Sequence, residues 1–352
     1  MRNSIVENDL EFIINSDNIW NSLEGKNILI SGASGFLPSY MVETILYLNE
    51  TRFNDKTNIF AVVRNEEKAL KRFSNYRDRK ELKFIIQDVC NPLNINDEIH
   101  YIIHAASQAS PKFYKKDPVG TLSPNIIGTH NLLEMAREKN VKGFLFFSSG
   151  EVYGEIEESM IPTKEKNYGY VDPQDIRSSY VESKRMGETM CISWFKQYRV
   201  PAKIVRPFHT YGPGMNLNDG RIFADFVYNL LKREDVVIKS DGKAVRAFCY
   251  LADATAGFFT VLLKGKNGEA YNVGNDKCEI NIIELAKKLV NLFPEYKLRV
   301  VLEKRQNSDY LESKIVRSCP DTFKISSIGW KPKYSIEEGF KRTIKSFELE
   351  AK

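Results

Sequence analysis

The chain has 352 residues, enough for one large α/β domain with a smaller lobe attached. Hydrophobic residues make up 42% and charged residues 28%, a balance that sets aside disordered and fibrous classes. Lys and Arg number 51 against 46 Asp and Glu; the net charge of +5 is spread with both signs mixed, so no basic block offers itself to a nucleic-acid backbone.

No apolar run is long enough to span a bilayer. The opening MRNSIVENDLEFIINSD carries acids and lacks the apolar core of a signal peptide. Cys90, Cys191, Cys249, Cys278 and Cys319 are scattered, odd in number and without a CxxC pair, so neither a disulfide framework nor a metal site is expected. A reducing cytoplasm is the simplest location.

In chain order, residues 1–24 read as an N-terminal helical extension with Leu10, Ile13, Ile14, Ile19 and Trp20 as its apolar positions. KNILISGASGF (26–36) is a short apolar strand ending in a glycine turn, and a helix follows through Val42, Ile45 and Leu46. A strand from Ile59, a helix around Glu67–Phe73, strands from Leu82 and Tyr101, a helix from Asn125 to Lys139 and a strand from Gly143 complete an alternating series. Strands and helices alternating at this pitch predict a Rossmann-type, doubly wound parallel sheet over residues 25–208. A helix from Tyr180 to Tyr198 and a strand from Ala202 to Phe208 close that part. Residues 209–352 are richer in Gly, Pro and Asn and read mainly as a smaller substrate-binding lobe, with Ala202–Phe208 and Ala270–Val273 rejoining the large sheet.

Gly32, Ala33, Ser34, Gly35, Phe36, Leu37 and Pro38 lie between the first strand and first helix, where a dinucleotide's pyrophosphate needs close backbone and a helix N-terminus. Pro38 replaces the third glycine, which a first helical turn tolerates. The second strand ends in Arg64 rather than the acid that usually accepts from the ribose hydroxyls. Arg64 can stack on adenine or pair with a 2′-phosphate, so NAD+ is expected and NADP+ stays open. Asp88 and Val89 follow the third strand at the adenine edge; Ala105, Ala106 and Ser107 follow the fourth and let a dinucleotide pass.

Tyr180 and Lys184 share a helix face at i, i+4. An ammonium there favours tyrosinate and lowers the phenol pKa, which makes Tyr180 a general base. The fifth strand ends in Ser148 and Ser149, at the carboxyl end of the sheet where ligands bind.

With the turn, the YxxxK pair, Asn125 in NIIGTHNLLEMA (125–136), Arg206-Pro207-Phe208, Tyr211-Gly212-Pro213 and Gly329-Trp330-Lys331-Pro332, the chain resembles the extended short-chain dehydrogenases/reductases from about Lys26 to Thr343. Within that NAD-dependent epimerase/dehydratase group it is most similar to UDP-glucuronate decarboxylases (UDP-xylose synthases). The segments that carry this likeness are 106–118, holding Ser110, then 149–154, 179–191, 211–227 and 246–253.

The resemblance implies NAD held by Gly32, Ser34, Gly35, Phe36, Leu37, Arg64, Asp88, Val89, Ala105, Ala106, Ser107, Asn125, Ser148, Tyr180, Lys184 and Pro207. It implies a UDP-type nucleotide-diphosphate sugar held by Ser110, Gly150, Glu151, His209, Arg221, Arg246 and Arg317, and no metal. Tyr180 with Lys184 would take the 4-hydroxyl proton, Ser149 would hold the same oxygen, and Glu151 would move protons or orient the ring. It also implies a homodimer through helices near Leu132–Ala136 and Met186–Trp194.

Three departures stand out. Gly150 replaces the decarboxylases' serine and the dehydratases' aspartate; His209 replaces an asparagine; Arg317 is one position out of register with a family arginine. The principal reading is therefore a C4-oxidising decarboxylase, with a 4-epimerase or 4,6-dehydratase as alternatives and a non-catalytic dinucleotide-binding regulator as a remote one.

Overall fold

The structure, a computed structural model, describes residues 3–303 and 315–351. Its large domain is a seven-stranded sheet: β1 (Asn27–Ser31), β2 (Asn58–Val63), β3 (Leu82–Ile86), β4 (Tyr101–His104), β5 (Gly143–Phe147), β6 (Ala202–Pro207) and, out of sequence, the strand Ala270–Val273. The order is Ala270–Val273, β6, β5, β4, β1, β2, β3, and every neighbouring pair is parallel. Strands such as GFLFF of β5 are buried along their whole length, because both faces of the sheet are covered. Strand order reverses at β1 and β4, which leaves a crevice beyond their carboxyl ends.

The helices of the first half are α1 (Ser4–Asn15), α2 (Phe36–Thr51), α3 (Glu66–Arg72), α4 (Pro111–Lys116), α5 (Pro118–Ser123), α6 (Thr129–Glu138) and α7 (Ser178–Tyr198). One core face packs Leu132, Leu133, Ala136 and Cys191 of α6 and α7 against Ile102, Phe144 and Phe146. The opposite face packs Tyr40, Val42 and Ile45 of α2 against Ile28, Ile30 and Ile103. The helix expected from Asn125 to Lys139 is two pieces, a π-turn over Pro124–Gly128 and α6, and α5 runs into the π-turn from before. Pro124 has no N–H to continue the ladder, and the backbone widens by one residue to pass it.

The second half supplies β7 (Thr210–Tyr211), α8 (Ile222–Lys232), β8 (Val236–Ile238), β9 (Val245–Ala247), β10 (Cys249–Tyr250), α9 (Leu251–Lys264), β11 (Ala270–Val273), β12 (Glu279–Asn281), α10 (Ile282–Asn291), β13 (Val300–Leu302), β14 (Arg317–Ser318), α11 (Phe323–Ser326) and α12 (Ile336–Glu350). β11 pairs with β6 as expected, and α9 covers the sheet through Phe258, which meets Phe147 edge-on at 4.6 Å. The small lobe holds three minor sheets: β10 with β7, β12-β9-β14, and β13 with β8.

The extension is α1 plus a short turn at Trp20–Ser22. Val6, Leu10, Ile13 and Ile14 recur at helical spacing and are buried against the domain. Asp9, fully buried on the same helix, accepts from Arg342 (2.5 Å), Tyr250 (2.6 Å) and Tyr40 (3.0 Å), tying the extension to α12, β10 and α2.

Candidate active site

A cleft of about 1360 Å³ opens between the carboxyl ends of the sheet and the small lobe. At one end lies the glycine turn. Gly32 sits at φ +67°, donates to Val62 (2.9 Å), and a Cβ there would come 2.7 Å from the Ala106 Cα. Gly35 donates to Gly32 O (2.7 Å), and a Cβ on it would meet that oxygen and the Pro38 ring. Only bare backbone fits, and it brings the first turn of α2, with Phe36 and Leu37, onto the cleft wall. The N–H groups of that turn have no partner inside the helix. Ser107, on the same wall, has a buried hydroxyl without a partner among the described residues. This cradle and its orphaned donors suit an anionic dinucleotide.

Ala105, Ser148, Tyr180, Lys184 and Pro207 also line the cleft; Gly32 and Ser34 belong to the turn between β1 and α2, and Ala106, after β4, packs against Gly32. Arg64 stays 58% exposed at the end of β2. It pairs with Asp88 at 3.6 Å, so the cation expected to select a 2′-phosphate is already matched by a carboxylate. Against the desolvation of burial, the Cys90 N–H and Arg64 hold the Asp88 carboxyl below its ordinary value. Val89 is buried and its carbonyl accepts from Asn131 (3.1 Å). Asn125 is fully buried in the π-turn and donates to Ser183 Oγ and Thr121 O, each at 3.0 Å.

Tyr180 and Lys184 descend from α7 as expected, yet the electrostatics differ from the sequence expectation. Burial raises the Tyr180 phenol to about 12, Glu151 adds to the rise, and the Ser149 hydroxyl and Arg221 only partly offset it. Lys184 is 2% exposed; burial pushes its ammonium down to about 7, and it donates to Phe147 O at 2.6 Å. The pull on the phenol comes from Ser149 and Arg221 rather than from Lys184, so the Tyr–Lys pair alone does not set the base.

Ser149 caps the short turn Gly150–Tyr153 by accepting from the Glu151 N–H (3.1 Å). The Glu151 carboxylate lies 3.6 Å from Arg177. Tyr114 stacks on Tyr180, with centroids 5.0 Å apart and planes at 15°. Behind this wall Arg206, 1% exposed, forks onto Glu188 at 2.6 and 2.8 Å, and Ser148 donates to the same carboxylate at 2.5 Å.

Toward the lobe, Arg221, Arg246 and His209 line the cleft together. Arg221 is held by Asp219 (3.0 Å) and Ala109 O (3.0 Å), and Arg246 by Ile315 O (2.7 Å). Burial, with Arg246 and Arg221 nearby, holds the His209 imidazole far below its ordinary pKa, so it is a neutral donor between two cations. Ser110 lies off the cleft and donates to Asp219 O (2.6 Å), bracing the loop that carries Arg221. Arg317 is turned to a bidentate pair with Glu279 (2.6 and 3.0 Å), and its neighbour Ser318 lines the cleft instead. The one-residue register offset explains this, since successive strand residues alternate sides. Gly150 also lines the cleft; a Cβ there would press on the Phe208 ring at 3.3 Å, so Phe208 fills the space that a larger residue 150 would take.

Sequence reasoning missed Tyr114, Arg177 and Phe208. Tyr114 and Phe208 stand inside segments already noted for their resemblance, and Arg177 is the N-cap of α7, three residues before Tyr180.

The model of the "NAD dependent epimerase/dehydratase family" matches residues 28–274. A UDP-glucuronic acid decarboxylase 3 from Arabidopsis thaliana is 33% identical over 92% of this chain and 89% of its own. A UDP-glucuronic acid decarboxylase 1 from Xenopus tropicalis is 33% identical over 92% of this chain and 73% of its own. Among solved structures, UDP-glucose 4-epimerase from Thermotoga maritima, with UDP-glucose, is 26% identical at a TM-score of 0.77, covering 93% of this chain and all of that one. UDP-glucuronic acid 4-epimerase from Bacillus cereus, with UDP-glucuronic acid and NAD, is 21% identical at a TM-score of 0.74, covering 92% and 99% of the two chains, a likeness of fold.

Proposed function

The chain belongs to the NAD dependent epimerase/dehydratase family, and on that premise we propose that it oxidises a nucleotide-diphosphate sugar at C4, most like a UDP-glucuronate decarboxylase. The observation that carries this reading is one cleft with Ser149, Tyr180 and Lys184 at the glycine-turn end and Arg221, Arg246 and His209 at the other. Two arginine forks and a neutral imidazole suit a diphosphate. The polar trio suits a sugar hydroxyl.

NAD+, when bound, accepts the C4 hydride and returns it, and its cationic ring supplies the charge that favours tyrosinate. Tyr180 takes the proton from the 4-hydroxyl as that hydride leaves. Ser149 donates to the same oxygen. Lys184, anchored on Phe147 O, keeps a proton within a helix turn of the phenol. A ketone at C4 acidifies C5, and a carboxylate on C5 then leaves as CO2, with its electron pair taken up by the ketone. Glu151, whose carboxylate lies 3.6 Å from Arg177 on the cleft wall, would return the proton to C5. Hydride return to C4 closes a redox-neutral cycle.

Gly150 favours a second reading, a 4-epimerase. With glycine here and Phe208 filling the space, this wall offers the sugar an apolar ring and no hydroxyl donor at residue 150. Product mass separates the two. The cofactor-loaded protein is incubated with UDP-glucuronate, UDP-glucose and UDP-N-acetylglucosamine, and the products are weighed. Loss of CO2 supports the decarboxylase, unchanged mass with an altered NMR spectrum supports the epimerase, and loss of water a 4,6-dehydratase. No turnover of any of the three contradicts the proposal.

The family reading also favours a homodimer. Ile127, Met186 and Tyr198, 48%, 48% and 44% exposed, lie on or beside α6 and α7 and would contribute apolar area to it. Sedimentation at the monomer mass of 40.5 kDa contradicts this pairing. The five cysteines are all free thiols, which suits a reducing cytoplasm. No described helix is long and apolar enough to cross a membrane.

A further inference from the structure

His104, at the end of β4, is 1% exposed and lines neither the cleft nor its rim. Its hydrogen bonds leave one consistent arrangement. Ser31 Oγ accepts from the N–H groups of Ala105 and Ala106, both at 3.2 Å, so its own proton goes to His104 Nδ1 at 2.7 Å. His104 Nε2 then carries the ring proton and donates to Pro124 O (3.1 Å) and Thr129 Oγ1 (3.0 Å). Thr129 in turn donates to Asn125 O at 2.6 Å. Burial and the nearby Lys184 keep the ring neutral, with its pKa lowered to about 3.

Both ends of this chain reach the site. Ser31 is the residue before Gly32, and the amides it holds belong to the segment against which Gly32 is packed. On the other side, Pro124 O is the first carbonyl of the π-turn that carries Asn125, and Asn125 donates to Ser183 on α7. Ser183 donates to Tyr180 O at 2.8 Å and immediately precedes Lys184.

We propose that His104 is a positioning residue that registers the dinucleotide turn against the catalytic helix, one ring nitrogen fixing each. This rests on the reading of the Gly32 turn as the NAD site and extends it to a residue that touches neither ligand.

The test uses the full chain and NAD+ binding by calorimetry, with kcat as a second readout. His104→Leu strands the Ser31 hydroxyl and the Pro124 carbonyl and is expected to weaken NAD+ about tenfold or more and to lower kcat. His104→Gln presents an acceptor and a donor on one amide at similar spacing, and is expected to recover NAD+ affinity to within about threefold of wild type. A folded His104→Leu protein whose NAD+ dissociation constant stays within about twofold of wild type overturns the proposal, even if its melting temperature falls, because a purely structural role moves only the latter. If His104→Leu does not fold, Ser31→Ala decides: about threefold weaker NAD+ supports the linkage and unchanged affinity overturns it. A wild-type protein that binds no NAD+ would instead overturn the reading of the turn.

Discussion

Replacing Arg206 with Met should cost far more stability than any surface change, because the guanidinium is the cation that pairs directly with a buried carboxylate. Arg206 makes five hydrogen bonds: two to Glu188 and one each to Tyr153 Oη (2.9 Å), Glu165 O (2.8 Å) and Tyr168 Oη (2.6 Å). Methionine fills most of the volume but strands the Glu188 side chain, which is 11% exposed. Removing one partner of a buried pair costs about 3–5 kcal/mol. Unfolding entropy near 2.1 cal/mol/K per residue gives roughly 0.7 kcal/mol/K for a chain of this length, so the melting temperature should fall by about 4–7 °C. Glu188→Leu with Arg206→Met removes both charges and should recover at least half of that loss. Thermal unfolding followed by circular dichroism measures all three proteins. An Arg206→Met protein that melts within about 1 °C of wild type, or a double variant that melts below Arg206→Met, refutes the reasoning.

Asp9→Ala should cost about 3 kcal/mol, because it leaves Arg342 and two tyrosine hydroxyls without their acceptor; urea unfolding measures it, and Asp9→Asn should lose less. Gly150→Ser forces the buried Phe208 ring aside and should cost about 1–2 kcal/mol, most of it recovered by adding Phe208→Leu, as read by melting temperature. Asp253 has its carboxyl raised from 3.8 to about 7 by burial, against the pull of the Tyr334 and Lys333 N–H groups. The folded state therefore keeps a proton that the unfolded chain releases, and this contribution to stability is full below pH 3.8 and lost as pH rises through 7. Melting temperatures across that window should show the slope in wild type and lose it in Asp253→Asn.

The parallel sheet was legible because strands buried on both faces read as continuous apolar runs, and the carboxyl-end placement of Gly32, Ser149 and Tyr180 followed from it. The π-turn at Pro124 was not, since proline within a helical pattern signals an interruption but not its kind. Arg64 illustrates the limit of reading a residue type alone: its charge was visible, but its neutralisation by Asp88, 24 positions away, depends on two adjacent strand ends. Arg317 shows the same dependence, because a register slip of one turns a side chain to the other face, where it pairs with Glu279. The Tyr180 phenol shows the converse. The YxxxK spacing gives the geometry of the pair, whereas the sign of its pKa shift is set by burial, which only the packed structure displays.

The central claim is that Tyr180 deprotonates a sugar 4-hydroxyl while hydride leaves C4. Stopped-flow mixing of the NAD+-loaded protein with UDP-glucuronate carrying deuterium at C4 tests it most directly. Reduced-nicotinamide absorbance should rise, more slowly with deuterium than with protium, and Tyr180→Phe should abolish the rise while still binding the nucleotide sugar. No reduced nicotinamide in wild type under conditions that convert the substrate, or an undiminished rise in Tyr180→Phe, would contradict the account.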